Sequence, residues 1–102
     1  MSDERVASTA DVPLNEVRVV QCGARSLALS NVDGEFYAID NVCTHDGGPL
    51  GEGRLRNGRV ICPRHGARFC LATGAALTPP AYESIRVFAV RRHDDRIEVR
   101  SP

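Results

Sequence analysis

The chain has 102 residues, 42% of them hydrophobic and 25% charged, with thirteen arginines balancing thirteen acids and no lysine. That is the size of one small domain spanning residues 1–102, with a modest core and a composition ordinary for a soluble globular protein. Zero net charge gives no global support for binding nucleic acid or an anionic membrane, and no apolar run or signal-peptide pattern is present, so a cytoplasmic location is expected.

Apolar and polar residues alternate along much of the chain, and the predicted elements are therefore strands. A short strand over 5–8 precedes the break Asp11-Val12-Pro13. Residues 16–22 form the next, with Val17 and Val19 on one face, Arg18 on the other, and Gly23 as the stop. A strand over 26–32, with Leu27 and Leu29 sharing a face, runs into Asp33-Gly34, a two-residue hairpin signal, and returns over 35–40. A second such signal, Asn57-Gly58, lies between Leu55 and Val60-Ile61, and a short strand over 69–71 follows. A last hairpin pairs 85–92 with 96–99 around Asp94-Asp95. No ten-residue stretch has a helical period, and no internal repeat is visible. The predicted fold class is all-β: an antiparallel sandwich or barrel into which about residues 41–80 are inserted as a small subdomain.

Two short motifs fall inside that insertion: Cys43-Thr44-His45 and, after sixteen intervening residues, Cys62-Pro63-Arg64-His65. Each supplies one thiolate sulfur and one imidazole nitrogen. Together they make the ligand set of a two-iron, two-sulfide cluster with Cys43 and Cys62 on one iron and His45 and His65 on the other. Replacing two thiolates by imidazoles changes the formal charge of the centre from about 2− to about 0 when oxidised, so an electron enters more readily and the potential rises. Gly47, Gly48 and Gly66 follow the pairs, where positive φ and close backbone approach would let N–H groups face the sulfurs. A structural zinc ion is the competing use of four such ligands, although the one-residue gap between Cys43 and His45 is unusual for zinc. A Cys43–Cys62 disulfide would leave the histidines and glycines without a role.

Other reactive residues read as structural. Cys22 and Cys70 lie at the end of one strand and within another and suit small buried apolar groups. His93 sits beside a turn, and Phe36, Phe69 and Phe88 suit a core.

The stretches Cys43-Thr44-His45-Asp46-Gly47-Gly48-Pro49-Leu50 and Cys62-Pro63-Arg64-His65-Gly66-Ala67-Arg68-Phe69 closely resemble the two cluster boxes of Rieske proteins, above all of bacterial Rieske-type ferredoxins. Val32-Asp33-Gly34-Glu35-Phe36-Tyr37-Ala38-Ile39-Asp40 before the boxes and Thr73-Gly74 and Thr78-Pro79-Pro80-Ala81 after them extend the likeness to about residues 5–99. The resemblance implies the same arrangement, a basal β domain carrying a cluster-binding insertion. Relatives in respiratory and photosynthetic complexes carry an extra, bridging cysteine in each loop and a serine and tyrosine that bond the cluster sulfurs. Here those places hold Gly48, Arg64, Ala67 and Phe69. Fewer hydrogen bonds to sulfur point to the low end of the Rieske range, near about −150 mV rather than +300 mV.

No Gly-x-Gly-x-x-Gly fingerprint is present, and His93 alone remains for any mononuclear iron site. The expected function is therefore one-electron transfer without substrate chemistry of its own. The resemblance implies a flavin-containing NAD(P)H-dependent ferredoxin reductase as donor, a terminal ring-hydroxylating oxygenase of aromatic catabolism as acceptor, and a monomeric carrier. The alternatives are an accessory subunit of another oxidoreductase, such as a nitrite reductase, and a zinc-stabilised β domain. Residues 43–70 hold five arginines against two acids, and the remainder eight against eleven. Docking is expected at the cluster tip around Arg64, with Arg54, Arg56 and Arg68 extending the positive surface.

Overall fold

The structure is a computed structural model that describes residues 3–42, 48–51, 53–63, 66–78 and 83–100. It is all-β, with ten strands and a single turn of 3-10 helix among the described residues. The strands are β1 (Asp3–Ser8), β2 (Val17–Cys22), β3 (Arg25–Val32), β4 (Glu35–Asp40), β5 (Arg54–Arg56), β6 (Arg59–Ile61), β7 (Arg68–Cys70), β8 (Val87–Phe88), β9 (Val90–His93) and β10 (Arg96–Arg100). The helical turn, Thr9–Asp11, is closed by the Ser8 N–H donating to the Asp11 carboxylate at 2.9 Å. No helix among the described residues is long and apolar enough to cross a membrane.

All pairings are antiparallel and form three sheets, ordered β1-β10-β9, β2-β3-β4-β8 and β5-β6-β7. The two hairpin signals act through backbone sterics. Asp33 and Gly34 have φ of 52° and 96°, and Asn57 and Gly58 have 52° and 74°, the left-handed pair that a two-residue turn needs to match strand twist.

The β2-β3-β4-β8 sheet is central. One core cluster, including Ala7, Leu27, Leu29, Phe88, Ile97 and Val99, joins it to the sheet containing β1, β9 and β10. The other, including Ala28, Ile39, Leu50, Val60, Cys62 and Phe69, joins its opposite face to the third sheet. This explains a departure from simple alternation: Leu27, Ala28, Leu29 and Ser30 are all buried, because β3 has a core on each side.

Three expectations need correction. Val17 is buried but Val19, on the same face, is 45% exposed, since β2 is an edge strand with limited cover there. The strand expected over 85–92 is two strands. β8 pairs with β4, the chain passes Ala89, and β9 pairs with β10, with the Arg100 N–H donating to the Ala89 carbonyl at 3.0 Å. One segment thereby serves two sheets and ties their edges together. The short strand expected over 69–71 runs instead over Arg68–Cys70, with Leu71 in the following turn.

β4 and β8 are paired neighbours although 46 residues, 41–86, separate them in the chain. That excursion holds the third sheet and both Cys/His motifs.

Candidate metal centre

The second motif starts where β6 ends. Cys62 is buried, 1% exposed, in the cluster with Leu50, Val60, Ala67 and Phe69. Its N–H donates to the Ala67 carbonyl at 2.8 Å, and its carbonyl accepts from the Gly66 N–H at 3.0 Å. The two bonds join the described ends of the segment between β6 and β7, Cys62 on one side and Gly66 and Ala67 on the other. Gly66 turns the chain at φ 73°, a left-handed value that an L side chain resists. The positive φ expected at Gly66 is present, and the Gly66 N–H itself is committed to the Cys62 carbonyl.

The first motif departs from the end of β4, and its described flanks are held at both ends by Asn41. The Asn41 N–H donates to the Ser26 carbonyl on β3 at 3.1 Å. The side-chain NH2 donates to the Ser26 hydroxyl at 3.2 Å, and the side-chain oxygen accepts from the Gly51 N–H at 2.7 Å. One side chain thus ties Asn41, two residues before Cys43, to Gly51, six residues after His45. Leu50 is fully buried beside Cys62, and Gly53 donates its N–H to the Leu50 carbonyl at 2.9 Å. A Cβ on Gly53 would lie 2.3 Å from the Ile61 carbonyl oxygen, so only glycine permits this close approach to the end of β6. The described ends of the two motif loops therefore meet in one core cluster.

Beyond β7 the chain doubles back. The Leu77 N–H donates to the Arg68 carbonyl at 2.8 Å, and the Arg68 N–H donates to the Thr78 hydroxyl at 3.0 Å. The loop behind the second motif is thereby braced.

Of the four expected ligands, Cys62 is placed as described; Cys43, His45 and His65 lie outside the described residues, as does Arg64. Among the described residues no other group of His, Cys, Asp and Glu converges as a metal site. Cys22 is buried in the other core cluster, and burial pushes its thiol pKa up. Cys70 departs from the expected buried apolar sulfur. It is half-buried, and a hydrogen bond with the Thr73 side chain, supported by the Thr73 backbone, holds its thiol below the usual range. His93 stands 3.6 Å from Glu98 at the surface, and Phe69 and Phe88 fill the two cores as expected.

The donor chemistry fits an iron–sulfur group. Cys62 is a free thiol at the wall of a cleft of about 370 Å³ that is lined also by Gly53, Arg54, Ile61, Pro63 and Gly66. A buried cysteine bordering such a space, with no disulfide partner among the described residues, suits a metal ligand. The residues that sequence reasoning missed are Asn41, whose only local signal is a polar side chain at a strand end, and Arg59, which joins a charged face described below.

A family model for the Rieske [2Fe-2S] domain matches residues 3–89. The biphenyl dioxygenase ferredoxin subunit of Pseudomonas sp. (strain KKS102) is 37% identical over 92 residues, covering 89% of this chain and 84% of the relative. The ferredoxin of Sphingomonas yanoikuyae B1 superposes with a TM-score of 0.92 at 33% identity, covering 99% of this chain and 100% of that one. The ferredoxin in a complex of reduced oxygenase and oxidised ferredoxin of carbazole 1,9a-dioxygenase superposes with a TM-score of 0.88 at 32% identity, over 95% of this chain and 91% of that one.

Proposed function

The chain belongs to the Rieske [2Fe-2S] domain family, and from that membership we propose that it is a soluble, cytoplasmic one-electron carrier of a multicomponent ring-hydroxylating oxygenase system. Cys43 and Cys62 hold one iron, and His45 and His65 hold the other, of one [2Fe-2S] cluster per chain. The observation that carries the reading is the placement of Cys62: a fully buried free thiol where the described ends of both motif loops pack together. When bound, the cluster takes up and releases a single electron at a potential set by its two imidazole ligands.

The protein's own residues hold the loops. Asn41 pins the first, the Cys62–Ala67 and Cys62–Gly66 bonds close the second, and the apolar cluster beneath keeps bulk water from the Cys62 side. Residues 1–102 act as one domain, with the cluster-binding subdomain at about 41–80. A flavin-containing NAD(P)H-dependent reductase supplies the electron, and a terminal oxygenase acting on an aromatic ring receives it, as the complex known for the carbazole dioxygenase ferredoxin suggests. The carrier works as a monomer.

Metal analysis tests this reading. Purified protein is expected to hold two irons and two acid-labile sulfides per chain, and His65→Ala to lose them. A colourless zinc protein, or His65→Ala with full iron and an unchanged visible spectrum, overturns the ligand assignment.

A further inference from the structure

The β5-β6-β7 sheet has two unlike faces. Leu55, Val60 and Phe69 are paired in register and turn inward to the core. On the other face the register sets Arg54 opposite Ile61 and Ile61 opposite Arg68, while Arg56 stands opposite Arg59 and Arg59 opposite Cys70. Four arginines therefore share one outward face in two cross-strand rows. Arg54, Arg56 and Arg59 are exposed and Arg68 is half-buried. The row containing Arg54 and Arg68 flanks Ile61, the residue before Cys62, and Arg54 lines the cleft beside that cysteine.

This arrangement is electrostatically unfavourable by itself. Like charges directly opposite across a hairpin destabilise it, and Arg56 and Arg59 are such a pair. Among the described residues, no carboxylate pairs with any of the four guanidinium groups. Elsewhere Arg18 pairs with Glu16 at 2.7 Å and Arg25 with Asp40 at 3.3 Å. The uncompensated charge is thus gathered on the side of the subdomain next to Cys62, while the chain outside residues 43–70 has more acids than arginines.

We infer that the outward face of β5-β6-β7, carrying Arg54, Arg56, Arg59 and Arg68, is the docking surface for an acidic patch on a redox partner protein. The arginine positions span about 7 Å along the strands and about 10 Å across them, the scale of a local carboxylate cluster. The opposite charge balance of the two parts of the chain turns this side toward an acidic partner and the remainder away, which steers encounter. The inference rests on the electron-carrier reading. It extends the docking surface expected at the loop tip along the flank of the sheet and adds Arg59.

The test uses reduced holoprotein in stopped-flow reactions with the terminal oxygenase of a biphenyl dioxygenase system, and oxidised holoprotein with the reductase of that system. Arg59→Glu, Arg59→Lys and the remote control Arg96→Glu are compared. At low ionic strength Arg59→Glu is expected to slow the second-order rate with at least one partner about tenfold, with the difference vanishing at high salt. Arg59→Lys and Arg96→Glu are expected to stay within about twofold of wild type on the same scale. Arg59→Glu behaving like Arg96→Glu with both partners, while wild type transfers electrons, overturns the docking face alone. Wild type exchanging electrons with neither protein overturns the carrier reading and the docking face with it. Fluorescence anisotropy with a duplex DNA oligonucleotide is the third arm. Tight binding that is lost in Arg59→Glu, with electron transfer unchanged, assigns the face to nucleic acid and also overturns the proposal.

Discussion

Replacing Asn41 with Ala removes the clamp on the first motif loop without touching a ligand. Two side-chain bonds vanish: the 2.7 Å bond from the Gly51 N–H and the 3.2 Å bond to the Ser26 hydroxyl. Leaving a backbone N–H unsatisfied costs about 1–3 kcal/mol when buried, and the second bond contributes about 1 kcal/mol. Asn41 is half-buried, so water recovers part of the loss, and about 2 kcal/mol remains. For a domain of this size each kcal/mol shifts Tm by about 4–8 °C, so Tm is expected to fall by about 8–16 °C. Ser26→Ala breaks the weaker bond alone and is expected to cost about half as much. Thermal melts followed by far-UV circular dichroism measure the stability, and iron release to a ferrous chelator measures the hold on the loop. Release is expected to speed up in Asn41→Ala, because the clamp joins the two ends of a ligand loop. If Asn41→Ala and Ser26→Ala melt together within about 2 °C and release iron alike, the Gly51 bond carries no load and the reasoning fails.

Gly53→Ala is expected to destabilise the protein by about 1–3 kcal/mol, because its new Cβ would lie 2.3 Å from the Ile61 carbonyl oxygen; a melt unchanged from wild type contradicts the close approach. Voltammetry at neutral pH is expected to give a midpoint near about −150 mV, since Ala67 and Phe69 bring no hydroxyl to the second loop, and a value above about +100 mV contradicts this. Alkylation with iodoacetamide at pH 8, followed by peptide mass spectrometry, is expected to label Cys70 well before Cys22. The Thr73 hydrogen bond raises the thiolate fraction of Cys70, while burial lowers that of Cys22; equal labelling rates refute both assignments.

Local signals carried most of the secondary structure. Asp33-Gly34 and Asn57-Gly58 adopt left-handed φ wherever they occur in a tight hairpin, so both turns were legible from two residues each. The strand over Glu35–Asp40 was readable at both ends for the same reason: a turn before it and a motif after it. The family was equally legible, because its Cys/His motifs are residue types at short spacing, and the family model matches residues 3–89. Cross-strand and layer relations were not. A period of two shows which side chains share a face but not whether a second layer covers the other one, and β3 proved buried on both. Nothing local marks Ala89 as the point where one strand becomes two, since that break depends on which edges β4 and β10 offer to the returning chain. Asn41 and Arg59 became meaningful in the same way: Gly51 lies ten residues from Asn41, and Arg54, Arg56, Arg59 and Arg68 sit on three strands whose register decides that they face together. The sequence by itself determined strand periodicity, turn chemistry and the spacing of the Cys/His motifs, because each is set within a few residues. Only the tertiary structure decided which core buries Cys62, what bridges the described flanks of the first motif and where the positive charge gathers, because these depend on pairing between residues distant in the chain.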